Sequence, residues 1–320
     1  MIKLIYSIIA MLCYQIAQAQ QEPTSVKMTA SYWNVSKDVK FETFNNRQTM
    51  FLPGGRAMVK NLEFTNGVIE VDVYAETSRS FAGITFRKQN TTMEEVYMRL
   101  HKSRQADAVQ YTPIFNNESN WQLYNGYQAN VSFKALAWNT LRLEVMHNAA
   151  TIFVNGKKVL EVDHLRTDNP SGKIGLFALF GSRFSNFRYT TKPATETRTP
   201  TAKDQLYANT ISTWNITQAK PYNANTFQLK HFLNENYTKV HTEASGLLPI
   251  SKYISKSNAG NFEENSEDFT LASTTILTDK ETTKRFSFDY SDKIIVYFYG
   301  KERFKGNNAF RTKGVNIWDI

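Results

Sequence analysis

The chain is 320 residues long, with 41% hydrophobic, 21% charged and 13% aromatic side chains, enough apolar material for one large or two ordinary globular domains and no match to a disordered, collagen-like or coiled-coil composition. With 38 Lys and Arg against 29 Asp and Glu, the net charge is +9. The excess is spread, 20 basic against 15 acidic residues over 20–190 and 17 against 14 from 191 onward, so no concentrated basic face marks a nucleic-acid binder.

At the N-terminus, Lys3 precedes the apolar run Leu4 to Cys13, and the segment ends in the small-residue pattern Ala17-Gln18-Ala19. This reads as a secretory signal over 1–19, cut before Gln20. Removal takes away Lys3 and no acid, leaving 37 basic and 29 acidic residues and a net charge of +8, and it takes away Cys13, the sole cysteine. The exported chain, secreted or periplasmic, then has neither disulfide nor thiol nucleophile, and a metal would have to be held by oxygen or by one of five histidines.

Beyond the signal the apolar pattern has period two. Ile69, Val71 and Val73 alternate with Glu70 and Asp72, Ile84 and Phe86 with Thr85 and Arg87, Val96, Met98 and Leu100 with Tyr97, Arg99 and His101, and Leu141, Leu143 and Val145 with Arg142 and Glu144. These are half-buried strands. Ile152 to Val154 and Val159 to Val162 flank Asn155-Gly156, a dipeptide suited to a type I′ hairpin turn. An all-β antiparallel sandwich over 20–190 follows. The Thr- and Pro-rich stretch 191–206 reads as a linker, and 207–320 as a second, smaller β-sandwich with Trp214, Phe227 and Phe232 in its core.

Several motifs carry a family resemblance: the strand NGVIEVDVYA, the run FAGITFRKQN followed by EEVYMRLHKS, the segment QYTPIFNNESNWQLYNG, the NGK hairpin and the closing GKIGLFALFGSRFSNFRY. Together they resemble the concanavalin A-like lectin and glucanase superfamily, near its laminin-G-like members and the 3-keto-disaccharide hydrolases. The resemblance implies a two-sheet sandwich with one concave sheet whose outward side chains form a ligand groove. The segment YSDKIIVYFYGKERFKGNNAFRTKG is similar to the late hairpin of galactose-binding-like jelly rolls.

Tyr97, Arg99 and His101 occupy consecutive same-face positions of one strand, and a ring, a guanidinium and an imidazole in that row suit sugar hydroxyls and carboxylates. On a concave sheet they are a site with Arg99 offering a fork of donors; on a convex one they are ordinary solvent-facing residues. The resemblance implies that Asp72 and Arg87 join this face from neighbouring strands. Gln122 and Tyr124 follow an Asn-rich loop and, with Gln110 and Tyr111, are expected at the groove's side. Trp121 either contributes a stacking ring or turns into the core.

Glu70-Val71-Asp72-Val73-Tyr74-Ala75-Glu76 is similar to the paired-carboxylate strand of family 16 glycoside hydrolases. Its spacing fails, because Glu70 and Glu76 stand about 20 Å apart on a strand where a retaining pair needs about 5–5.5 Å. No catalytic residue is assigned. The histidines form no metal motif, no cofactor is expected, and Asp163, Asp168 and Asn169 make either a rim calcium site or a plain turn. The leading function is recognition of an oligosaccharide or polysaccharide. The alternatives are a glycoside-cleaving enzyme of the 3-keto-disaccharide hydrolase type and a protein-binding adhesion module. Secretion of the full chain should give a mature N-terminus at or beside Gln20, and an intact mass retaining Met1 would contradict the signal.

Overall fold

The computed structural model describes residues 22–193, 209–256, 267–308 and 318–319. The signal segment 1–19 and most of the 191–206 linker lie outside the described residues. Within 22–193 the alternating segments form strands β1 (Thr24–Ser25), β2 (Trp33–Asn34), β3 (Lys40–Phe44), β4 (Arg47–Leu52), β5 (Gly55–Val59), β6 (Gly67–Ala75), β7 (Phe81–Gln89), β8 (Thr92–Arg99), β9 (Val109–Phe115), β10 (Glu118–Ser119), β11 (Gln128–Ala129), β12 (Ala137–Met146), β13 (Ala149–Val154), β14 (Lys157–Val162), β15 (Lys173–Leu179) and β16 (Ser182–Thr191). They assemble into two antiparallel sheets. The first has the order β14-β13-β12-β6-β16-β4-β3 with β1 on β16, and the second β10-β9-β8-β7-β15-β5-β2 with β11 on β9.

The sheets face each other through the apolar positions that alternation marks. Ile69, Val71 and Val73 of β6, Ile84 and Phe86 of β7, Val96 and Met98 of β8, and Leu141 and Leu143 of β12 are fully buried in one core. Asn155 and Gly156 turn the β13–β14 hairpin with φ of 52° and 78°, the left-handed values such a turn requires. Consecutive strands β6 and β7 do not pair. β6 lies between β12 and β16 in the first sheet and β7 between β8 and β15 in the second, so the chain changes layers over 76–80. At Gly83 of β7 a Cβ would stand 2.1 Å from the Val96 carbonyl and 2.6 Å from Tyr97 Cα, so only glycine lets β7 and β8 approach as they do.

One carboxylate sits inside. Glu94 and Glu95 are neighbours on β8, so their side chains leave opposite faces. Glu94 accepts the Thr167 N–H (2.8 Å), the Thr167 hydroxyl (2.7 Å) and the Tyr111 hydroxyl (2.7 Å). Tyr111 in turn accepts the Arg166 N–H at 2.9 Å. The turn region 163–172 is thereby sewn to the second sheet. Asp163 accepts from Tyr127 (3.0 Å), Asp168 pairs with Lys252 (3.2 Å) and Asn169 donates to the Arg87 carbonyl (3.0 Å). Asp163, Asp168 and Asn169 therefore face different partners, and among the described residues no group of three or more metal-ligating side chains occurs.

Beyond residue 209 the β structure continues in smaller sheets. Thr213–Ile216 pairs with Thr238–His241 and Ala272–Ser273, over a small core of Ile216, Val240 and Ile254 against which Trp214 packs. Phe227 and Phe232 stack at 5.4 Å beside Phe269 rather than entering that core. No helix among the described residues is long and apolar enough to cross a membrane.

Burial raises the Glu94 carboxyl above the ordinary carboxylate range. A group raised in this way stabilises the fold fully below its unfolded pKa and loses that contribution as pH rises through the native value. Wild type should therefore lose Tm relative to Glu94→Gln as pH is raised from the ordinary value of 4.5. A difference in Tm that stays flat with pH would contradict the raised carboxyl.

Candidate functional site

The outward face of the second sheet is built in cross-strand rows. Register places Arg56 of β5 beside Phe177 of β15, Phe177 beside Gly83 of β7, Gly83 beside Tyr97 of β8, Tyr97 beside Gln110 of β9 and Gln110 beside Gln128 of β11. The absent side chain at Gly83 lets the Tyr97 and Phe177 rings approach to 5.8 Å. The adjacent row is polar. Thr85 Oγ1 (3.0 Å) and Arg56 Nε (2.6 Å) both donate to Glu95 Oε1. Phe81 and Arg99 pair at the far end of the face.

Arg99 is 4% exposed. It donates to the Asp107 carbonyl (2.7 Å), to Gln110 Oε1 and to the Tyr97 hydroxyl (3.3 Å). Three rings surround its guanidinium carbon, Tyr97 at 5.2 Å, Trp121 at 5.4 Å and Phe81 at 6.0 Å. Gln110 is fully buried, receives further bonds from Tyr97 (3.4 Å) and Gln128 (3.2 Å), and donates to the Trp121 carbonyl at 2.5 Å. Partial burial works against Asp107, but the Lys102 hydrogen bond and the Arg99 charge hold its carboxyl below the ordinary range. Burial pushes the Tyr97 phenol up.

His101 lies in a short 3-10 turn, Leu100–Lys102, rather than in the strand. Its Nδ1 is 3.1 Å from the Ser80 carbonyl and its ring 5.1 Å from that of Phe81. That bond needs a proton on Nδ1, leaving Nε2 as the acceptor of the neutral ring. Partial burial and the nearby Arg79, Lys102 and Arg99 charges lower its pKa. Phe180, 56% exposed, extends the aromatic edge, 6.0 Å from Phe81 with Arg79 over its ring at 4.9 Å.

Tyr97, Arg99, His101 and Gln110 are thus together, and the five other expected members are elsewhere. Asp72 is on the outer face of the first sheet, bound to Arg47 (2.8 Å), Thr140 (2.6 Å) and Asn186 (2.8 Å), because β6 and β7 belong to different layers. Arg87 is on the right strand at its opposite end, in a bulge with φ of 50°, where it is buried and donates to the carbonyls of Thr65 and His147. Tyr111 points into the core, as the residue after outward-facing Gln110 must. Tyr124 is 3% exposed and gives its hydroxyl to Glu243 at 2.5 Å. Gln122 is half-buried and accepts from Ser291 at 2.8 Å. Arg99 itself offers no free fork, since its donors are spent on protein acceptors. Sequence reasoning missed Phe81, Phe177, Arg56 and Glu95, although each has the parity opposite to the core residues of its strand.

Residues 27–190 match the family of the 3-keto-alpha-glucoside-1,2-lyase-like domain. The chain belongs to this family. No curated protein sequence matches the chain. Solved structures similar to the lyase-like domain include carbohydrate binding module CBM66 from Bacillus subtilis, at 12% identity over 49% of this chain and 95% of that one, with a TM-score of 0.40. A beta-glucanase of Bacillus licheniformis is 14% identical over 54% and 92%, with a TM-score of 0.37, and a galectin of Caenorhabditis elegans 12% over 49% and 99%, with a TM-score of 0.32. Within the domain, Arg99→Ala should unfold the face rather than merely weaken it. Leaving Gln110 and the Asp107 carbonyl without their cation should cost about 2–4 kcal/mol of stability in urea unfolding, against less than about 1 kcal/mol for Arg142→Ala, whose half-buried guanidinium makes ion pairs at the solvent boundary.

Proposed function

We propose that the N-terminal sandwich recognises a carbohydrate on the outward face of its second sheet. The observation that carries this reading is the row of Phe177, Tyr97 and Phe81 with Trp121 at its side, set between Arg56 and His101. Sugar rings present C–H faces that pack on aromatic rings and hydroxyls that need fixed donors and acceptors. Because Arg99 and Gln110 are closed off, they hold the platform, and the partly exposed Phe81, Phe177, Trp121, His101 and Arg56 are left to meet the sugar. Family membership supports the same ligand class.

A second reading, catalysis on a 3-keto-α-glucoside as the family's description has it, is favoured by His101. Its lowered pKa keeps the imidazole neutral at pH 7 with Nε2 able to accept a proton. Screening the purified chain on an oligosaccharide panel for retention and for product release separates the two. Phe177→Ala and Trp121→Ala should each weaken retention about fivefold, on the order of 1 kcal/mol, with the fold intact. If cleavage occurs, His101→Gln should abolish it while retaining binding, and wild-type activity should persist below pH 6.5, the ordinary histidine value. Equal retention by wild type and both aromatic variants would remove this face from the site.

A further inference from the structure

An arginine on a protein surface is ordinarily a mobile side chain in water. Arg79, in the crossover 76–80, is held. Its guanidinium carbon lies 4.9 Å from the centre of the Phe180 ring and 5.7 Å from that of Phe81. A stacked guanidinium is gripped through its flat face, which leaves the N–H groups around its edge for other partners. Arg79 is exposed, and with the described residues it makes neither a hydrogen bond nor an ion pair. The other cations at this end of the face are committed, Arg99 to Gln110 and the Asp107 carbonyl, and Lys102 to the Asp107 carboxylate at 2.5 Å. The charges that act on the His101 ring, those of Arg79, Lys102 and Arg99, are all positive, so the corner carries an excess of positive charge.

Phe180 completes this corner. It stands between β15 and β16 with φ of 67°, followed by Gly181 at 80°, left-handed values like those of Asn155-Gly156 in β13–β14. Asparagine is at home in that region, whereas a phenylalanine held there costs energy that core burial normally offsets. Phe180 is 56% exposed, and its ring meets Arg79 and Phe81 (6.0 Å). The ring therefore adds nothing to the turn and everything to the corner: it extends the aromatic surface past Phe81 and fixes the cation. Beside it the neutral His101 ring, 5.1 Å from Phe81, keeps Nε2 as an acceptor while Nδ1 is engaged with the Ser80 carbonyl.

We propose that Arg79, Phe180 and His101 form a subsite for a uronic acid residue, so that the carbohydrate met by the sandwich face is an acidic one; the inference rests on that reading of the face. The sugar carboxylate takes two parallel N–H bonds from the edge of Arg79, the sugar ring packs on Phe180, and His101 Nε2 accepts from a hydroxyl. A planar carboxylate matches the guanidinium fork in both spacing and plane. A sulfate ester brings charge without that planar pair of oxygens.

The test offers the purified chain oligogalacturonate, oligoglucuronate and oligomannuronate, each beside its neutral carboxyl-reduced counterpart, with a sulfated neutral oligosaccharide alongside. At least one acid form should bind about five- to tenfold more tightly than its reduced counterpart, and salt should erode that preference. Arg79→Gln should remove the preference while leaving Tm and the affinity for the reduced form unchanged, and Arg79→Lys, which keeps the charge without the fork, should restore it only in part. Phe180→Asn gives the turn the residue it prefers, so its Tm should hold or rise while acid and reduced forms both bind about threefold more weakly. Lys157→Gln, on the hairpin of the other sheet, should change none of these. Equal binding of acid and reduced forms, a preference that survives Arg79→Gln, or tighter binding of the sulfated sugar than of every uronate would overturn the proposal. Reduced forms that still depend on Phe177 and Trp121 would in that case leave the carbohydrate reading of the face standing, whereas binding of no glycan would end both.

Discussion

A single buried amide organises the candidate face. Gln110 receives hydrogen bonds from Arg99, Tyr97 and Gln128 on its oxygen and gives one to the Trp121 carbonyl from its nitrogen, so strands β8, β9 and β11 and the loop bearing Trp121 all meet at one side chain. A buried amide must satisfy both of its ends, because each unmet end costs on the order of 1–3 kcal/mol. Its two ends are chemically different, so the arrangement cannot be inverted without losing bonds. The position of Arg99 follows from Gln110. The rings around Arg99 are then fixed by the planar cation they enclose, and the aromatic row across the sheet inherits its spacing from them.

This explains why the most chemically suggestive residues of the face are its least accessible. A platform for a flexible, hydroxyl-rich ligand must itself be rigid if binding is not to be offset by ordering the protein. Here the charged and amide groups are consumed internally to supply that rigidity. What is left outward is largely aromatic, with His101 and Arg56 as polar markers. The first sheet's outer face combines the same groups: Phe44, Tyr74 and Trp138 pack edge to face, and Arg47 and Arg183 lie over the Trp138 and Phe44 rings, as Arg56 and Arg99 lie over Phe177 and Trp121 on the second sheet.

Much of the sandwich was legible because period two is a local property. The strands around Ile69, Ile84, Val96 and Leu141, and the Asn155-Gly156 turn, are set by residues within a few positions of one another. Which strands adjoin is not local. Asp72 and Arg87 look like neighbours in sequence, yet β6 finds its partners in β12 and β16, some 70 to 110 residues onward by register. Gln110 and Tyr111 could be separated by parity alone, since adjacent residues of a strand leave opposite faces. Tyr124 could not, because the segment after Trp121 is a series of turns in which alternation has no meaning. Its burial depends on Glu243, a contact across 119 residues that no local pattern announces.

That contact is one of several. Glu243 also approaches Arg166 at 3.4 Å, Ser251 bonds Asn116 (2.9 Å) and Asn120 (2.9 Å), and Ser291 bonds Gln122. The turn-rich segment after β9 is therefore gripped by residues that leave the ribosome long after the sandwich strands are made. The sheets can form first and bury their core, while the wall beside Trp121 takes its final shape only when the distal third of the chain arrives, so this protein matures its edge last, and a nascent or clipped chain would present a well-folded sandwich with an unfinished rim.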